Sequence, residues 1–377
     1  MGHLSKLLAL LCASAAIVFY SNPCDAKTYN VSPGMSIQEV IDKAEPGDKI
    51  QVLVGDYHES IMIDKENLTL VGLSYEGARP TLNGTRDAET LDVAVGIAAD
   101  GVTVEGFVIQ DYGEAGVVAD AVNNITLTDL IIANSGVAGV MVDDADGVTL
   151  QRVIVSDMTG VGAYIMESTN VFIKDSEFLL SPYGLVLVDC LQGTVQNSGF
   201  YRNSVGIIIA SRPNPPRQGG DHVAIRHCRV LENKGENTYP KARCIAALPM
   251  DIPGGIGVAI LGADHTVLSD SIIVGNASCG VATYAHPDAT APTDNEGEES
   301  FAGIPDHTYV HHNAYADNGT APTRAFEKQF PGVEGCDLYW DGSGVRNQWQ
   351  ENTDLKTHPE NLVVEQGGVH TDVIHFL

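Results

Sequence analysis

The sequence predicts an all-β solenoid: a parallel β-helix of coils about 23 residues long, lidded by a short N-terminal capping helix. Three observations carry that expectation. The aliphatic residues Val102, Ile125, Val148 and Val171 recur every 23 positions. Gly116, Gly139 and Gly162 keep the same step, and Gly184 and Gly206 continue it with small slips. Between these markers, short runs rich in Val, Ile and Thr are punctuated by Gly, Asn and Asp, the pattern of short strands and tight turns. A unit of 23 residues cannot hold the two helices of a helical repeat, but it holds three short strands and three turns.

Taken in order, residues 1–26 read as a secretory signal. One apolar stretch over residues 4–20 carries a single lysine, and small residues at Cys24 and Ala26 suit cleavage after Ala26. No later segment approaches the ~18 apolar residues of a spanning helix, so no membrane span is expected after signal removal. Residues 27–100 form the cap and first coils. Ser36-Ile-Gln-Glu39 is a capping box, Ile37, Val40, Ile41 and Ala44 form one apolar stripe, and Pro46-Gly47-Asp48 stops the helix. Residues 101–318 are the main stack, with insertions at 212–222 and 234–256: Val195 to Ala224 spans 29 positions and Ala224 to Val267 spans 43. Residues 319–377 form an aromatic tail that closes or flanks the far end.

Stacking turns every alignment column into a physical column of side chains about 4.8 Å apart. One interior column runs Leu130, Val153, Ser176, Ser198, Cys228, Ser271, Asn313. Its shift from aliphatic to small polar residues fits a corner ladder that hydrogen-bonds turn amides in a dry interior.

Composition narrows the function classes. Hydrophobic residues make up 44% of the 377-residue chain, which rules out disorder. With 49 acidic against 21 basic residues the net charge is -28, so nucleic acid is not expected as a partner. Beyond residue 26 five cysteines remain, Cys190, Cys228, Cys244, Cys279 and Cys336, enough for two disulfides and one thiol over. Cys228 and Cys244 flank one candidate loop and are the best single pair by sequence. Six N-x-S/T sequons, at Asn30, Asn67, Asn83, Asn124, Asn276 and Asn318, matter only in a glycosylating source.

The run from Ser36-Ile-Gln-Glu39 through Gly55-Asp-Tyr-His-Glu59 and Leu68-Thr-Leu-Val-Gly72 into the later coils, over roughly residues 30–318, resembles the right-handed parallel β-helix proteins of the pectin-lyase-like superfamily. The resemblance implies the fold and its hand. It leaves activity open, because that superfamily includes lyases, hydrolases, epimerases and adhesins.

Chemistry is expected in two places. Asp144, Glu167 and Asp189 fall in one column at the downstream end of the strand after each glycine, with Arg212 in the next coil beside them. Stacked carboxylates repel one another, so they are either solvated turn residues or bridged by a hard cation such as Ca2+. Between positions 212 and 243, seven basic residues face three acids. Arginines there suit the planar carboxylates of uronic acids, or else pair with the protein's own surplus acids. The stretch Arg212-Pro-Asn-Pro-Pro-Arg217-Gln-Gly219-Gly-Asp-His222-Val223 is similar to the pectate lyase pattern R-x-P-x-x-R-x-G-x-x-H-V. It departs from it at Asn214, and that family's W-x-D-H segment is absent. The similarity implies Arg212 as the base that removes the proton α to a uronate carboxylate, Arg217 as a carboxylate clamp, and calcium on Asp144, Glu167 and Asp189. Substrate contacts are assigned to His222, Arg226, Arg229, Lys241 and Arg243.

The motif set of polygalacturonases is missing, and Ala285-His286-Pro287-Asp288 departs from the D-P-H-D of alginate epimerases. His286, His307, His311 and His312 are expected at turns or on the surface: His311 and His312 point to opposite faces of a strand and cannot share a metal unless a turn separates them. Val186, Val188, Ile208, Ala210, Ala259 and Leu261 point outward yet are apolar, which means a binding patch or burial beneath the second insertion. The expectation is an exported protein, secreted or periplasmic, that binds an acidic polysaccharide and cleaves it by β-elimination. The alternatives are a non-catalytic structural or adhesion protein and a scaffold with a protein partner.

Overall fold

The computed structural model describes residues 26–86, 89–213, 222–236, 252–289, 303–352, 355–360 and 362. Residues 1–25, and with them nearly all of the expected signal, lie outside that set, as do Arg217, Lys241, Arg243 and Cys244.

Each coil gives one strand to each of three parallel sheets, of 12, 10 and 11 strands. The repeat arithmetic survives as register: Ile125, Val148 and Val171 are direct partners in the first sheet. At the first insertion the register is one residue from the sequence alignment, with Val195 opposite Ile225 and Thr194 opposite Ala224. The second insertion restores Ala224 opposite Val267 as expected.

Inward side chains form one continuous core from Val31 to Leu362. Full burial of one such aliphatic side chain contributes about 1.5–3 kcal/mol. The glycine column in the third sheet has a steric cause. A Cβ on Gly139 would stand 2.6 Å from the Gly162 carbonyl oxygen, and one on Gly184 would stand 2.5 Å from that of Gly206. Successive coils approach too closely there for any side chain.

The polar corner ladder forms as expected. Ser176 Oγ accepts from Val153 N, Ser198 Oγ from Ser176 N, Ser271 Oγ from Cys228 N, and Asn313 Oδ1 from Ser271 N. A second ladder, which the sequence reading missed, runs through Asn203, Asn233, Asn276 and Asn318, each side-chain oxygen accepting a backbone N–H of the coil before. Two of the six sequons, at Asn276 and Asn318, are therefore interior positions.

Helix α1 (Ile37–Ile41) lids the N-terminal end, with Ile37, Val40 and Ile41 buried and Ser36 Oγ accepting from Glu39 N. A carboxylate from further along the chain covers the other free donors of this end: Glu59 accepts from Ser36 Oγ, Ile37 N and Gln38 N. At the other end helix α2 (Arg324–Gln329) is followed by strands Cys336–Trp340 and Gln348–Gln350, which extend the third and first sheets. The outward apolar residues of the third sheet are buried, in one cluster with Ile252 of the second insertion and with Phe326 and Phe330 of the α2 region. They are not an open patch.

Candidate functional site

The site residues sit where the third sheet turns toward the first. Asp144, Glu167 and Asp189 each adopt a left-handed backbone, with φ of 49°, 47° and 50°. Asp tolerates that conformation better than most residues, Glu less so. Each N–H reaches the carbonyl of the next coil: Asp144 N to Met166 O at 3.1 Å, Glu167 N to Val188 O at 2.9 Å, and Asp189 N to Ala210 O at 2.9 Å. The expected column is therefore real, and Arg212 lies beside it.

The geometry defines what the column does. Arg212 donates from Nε to Asp189 Oδ2 at 2.5 Å, from Nη2 to Glu167 Oε1 at 2.6 Å, and from its backbone N to Asp189 Oδ1 at 2.8 Å. Ser211 Oγ adds a 3.4 Å contact to Asp189 Oδ1. The Asp189 side chain is 1% exposed, those of Glu167 and Arg212 23% and 29%. Burial by itself would lower the Arg212 pKa, but its bonds to Glu167 and Asp189 outweigh burial and hold it above the ordinary value. That disfavours Arg212 as a base, which must first lose its proton.

The same donors decide the calcium question. Both oxygens of Asp189 and one of Glu167 are turned on Arg212, so the three acids as arranged do not fit a calcium site. Among the described residues no group of three or more His, Cys, Asp or Glu side chains is disposed to hold a metal ion.

Two neighbours complete the corner. His286 is 3% exposed, its Nε2 has no hydrogen-bond partner among the described residues, and its Nδ1 accepts from Asp288 N at 3.1 Å. Burial lowers its pKa, partly offset by the charges of Asp288 and Asp189, and with Nδ1 accepting from Asp288 N the neutral ring carries its proton on Nε2. Tyr164 is buried on the outer face of the third sheet, and its hydroxyl contacts Met166 Sδ at 3.3 Å. Burial raises its pKa, so it stays protonated. Asp143, one residue before Asp144, is pushed up by burial and then by the charges of Glu167 and Asp120. Segments that are distant in sequence meet at this corner: a Cβ on Gly303 would lie 2.9 Å from His286 Cβ and 3.0 Å from Pro213 Cγ.

The other assigned residues are spread around the coil. His222 occupies the turn before strand Val223–Arg226 and stacks on His265 at 4.4 Å, which in turn stacks on His307 at 4.5 Å. Arg226 ends that strand on the first sheet, and Arg229 opens Arg229–Leu231 on the second. A full strand thus separates them from Arg212. His312 does have a left-handed backbone, so a turn brings its Nδ1 to 2.6 Å from that of His311, and its Nε2 pairs with Glu351 at 2.6 Å. His286, expected at a turn or on the surface, is instead buried, and two of the charges that act on it belong to residues 74 and 97 positions upstream, Arg212 and Asp189.

Comparison with known proteins gives a fold. Residues 115–296 match the family described as right handed beta helix region. A lacto-N-biosidase from Eubacterium ramulus is 12% identical, with 86% of this chain and 68% of that chain covered and a TM-score of 0.50. An alginate lyase from Paenibacillus sp. str. FPU-7 is 13% identical over 79% of this chain and 99% of that one, TM-score 0.47. The A-module of an Azotobacter vinelandii mannuronan C-5 epimerase is 12% identical over 84% and 82%, TM-score 0.42. No curated protein sequence gives a significant match. At such identities the likeness is one of fold.

Proposed function

We propose that this chain, a right-handed parallel β-helix by fold, is an exported protein that binds an acidic, uronate-containing polysaccharide along its side, at the corner of Arg212. The observation that supports this is the half-used guanidinium. Nε and Nη2 are held by Asp189 and Glu167, while no group among the described residues hydrogen-bonds the Nη1 edge, and the side chain is 29% exposed. A planar cation fixed in place, with one edge left over, binds a carboxylate without first losing side-chain freedom. The net charge of -28 opposes any polyanion. Binding to this face therefore strengthens as ionic strength rises from about 10 to about 100 mM, the reverse of a basic glycan-binding protein.

A second reading, cleavage by β-elimination, is favoured by one feature, His286. The reaction needs a base to take the proton α to the carboxylate, which the doubly paired Arg212 does not supply; His286 would supply it only in the tautomer with its proton on Nδ1, where the bond from Asp288 N is given up and Nε2 is left to accept. Arg212 would neutralise the carboxylate, and the electron pair would leave with the glycosidic oxygen as the double bond forms. The test is incubation of the exported protein with pectate, alginate and related uronans, scoring retention on immobilised glycan and the ultraviolet absorbance of unsaturated product. Retention that disappears in Arg212→Ala, in material whose circular dichroism matches the parent, supports the binding reading. Product that disappears in His286→Ala supports the second. Retention without product assigns an adhesive role, and neither retention nor product overturns both readings.

A further inference from the structure

Cys279 and Cys336 open strands Cys279–Tyr284 and Cys336–Trp340 and are direct register partners across the third sheet. Neighbouring strands lie about 4.8 Å apart, within the Cα separation that a disulfide spans. The two sulfurs are 3.1 Å apart, and the side chains are 0% and 1% exposed on the outer face of the sheet, in one cluster with Phe326 and Phe330. The other two described cysteines are placed differently. Cys190 and Cys228 belong to the inward core, and their thiols donate to the carbonyls of Ile165 and Arg226 at 3.3 Å each.

We infer that Cys279 and Cys336 are joined by a disulfide in the mature protein, a staple that fixes the last coils and helix α2 over the outer face of the third sheet. The two thiols give up two protons and two electrons, and an external disulfide, such as that of a thiol–disulfide oxidoreductase or oxidised glutathione, takes both and becomes two thiols. The burial of both sulfurs sets the order of events. Exchange takes place before the end of the stack closes, and the finished bond is shielded from reductants. The cross-link joins positions 57 apart, so it restrains a long loop of the unfolded chain, one that includes α2. This end of the stack thereby gains a covalent closure that the N-terminal end, lidded by α1, does without. Such a bond belongs to an oxidising compartment, which supports export on grounds independent of residues 1–26.

The full chain, recovered from the periplasm or medium of an expressing host, is unfolded without reductant, alkylated, digested and mapped by mass. The expected result is a cross-linked peptide pair containing Cys279 and Cys336, with Cys190 and Cys228 alkylated. Alkylation of both Cys279 and Cys336 in that material overturns the inference. The doubly substituted Cys279→Ala, Cys336→Ala chain should lose at least about 5 °C in thermal midpoint against the unreduced parent. An unchanged midpoint overturns the stapling role even if the cross-link is found.

Discussion

Arg212 and Asp189 form a two-point clamp in which the Asp189 carboxylate accepts both the backbone N–H and the Nε of Arg212, at 2.8 and 2.5 Å. The Asp189 side chain is 1% exposed, so Arg212 is the cation that faces its buried carboxylate. Arg212→Ala leaves a buried carboxylate uncompensated and should cost about 3–5 kcal/mol in denaturant unfolding. Adding Asp189→Ala to that variant should recover a large part of the loss. A cost below about 1 kcal/mol would place the pair with ordinary surface ion pairs.

His286 makes stability depend on pH in a definite direction. Burial depresses its pKa below the ordinary 6.5, so the unfolded chain holds the extra proton more tightly than the folded one. The stabilisation is complete above about pH 6.5 and is lost as pH falls through the depressed value. His311 is depressed in the same sense, by burial and then by the charge of His312. Thermal midpoints between pH 7.5 and 5 should therefore fall, and His286→Phe should fall less steeply than the parent. Parallel slopes in the two proteins would show that His286 is not the group responsible.

The site was legible in the sequence wherever the period is regular. Asp144, Glu167 and Asp189 follow one another at 23 and 22 positions with no insertion between them, so alignment placed them in one column beside Arg212. What the letters do not carry is direction. They could not say that Arg212 turns back on Glu167 and Asp189, which removes both the base and the calcium donors from the expected mechanism. Past Arg212 the insertions break the count. Asn203, Asn233, Asn276 and Asn318 are 30, 43 and 42 positions apart, and Cys279 and Cys336 are 57 apart, so neither relationship shows as periodicity. The pairing of Cys228 with Cys244 was argued from loop proximity, whereas the described sulfurs that meet are those of Cys279 and Cys336.

The asparagine ladder should behave as a single unit. Asn276 accepts from Asn233 N and Nδ2, and donates to Asn318 Oδ1 and Val230 O, all in a fully buried position. Asn276→Ala leaves several buried polar groups short of partners and should cost about 2–4 kcal/mol. Asn30→Ala, at an exposed position, should cost within about 0.5 kcal/mol. In a glycosylating host, mass analysis of the folded protein should find no glycan at Asn276 or Asn318.

Glycines in this chain are required for two different reasons, and paired substitutions separate them. At Gly184 a Cβ would meet the Gly206 carbonyl oxygen at 2.5 Å and Asn203 Nδ2 at 2.9 Å, so two hydrogen-bonded coils would have to part. At Gly332 a Cβ would meet nothing within 4 Å, but φ is +85°, which L side chains rarely adopt. Gly184→Ala should therefore cost about 1–3 kcal/mol through overpacking, with Gly184→Asn worse because the side chain is larger. Gly332→Ala should cost about 1 kcal/mol, and Gly332→Asn less than that, because Asn accepts a left-handed backbone. If Asn rescued position 184 as well, backbone conformation rather than coil spacing would be the reason for the glycine column, and the close stacking of the third sheet would need another cause.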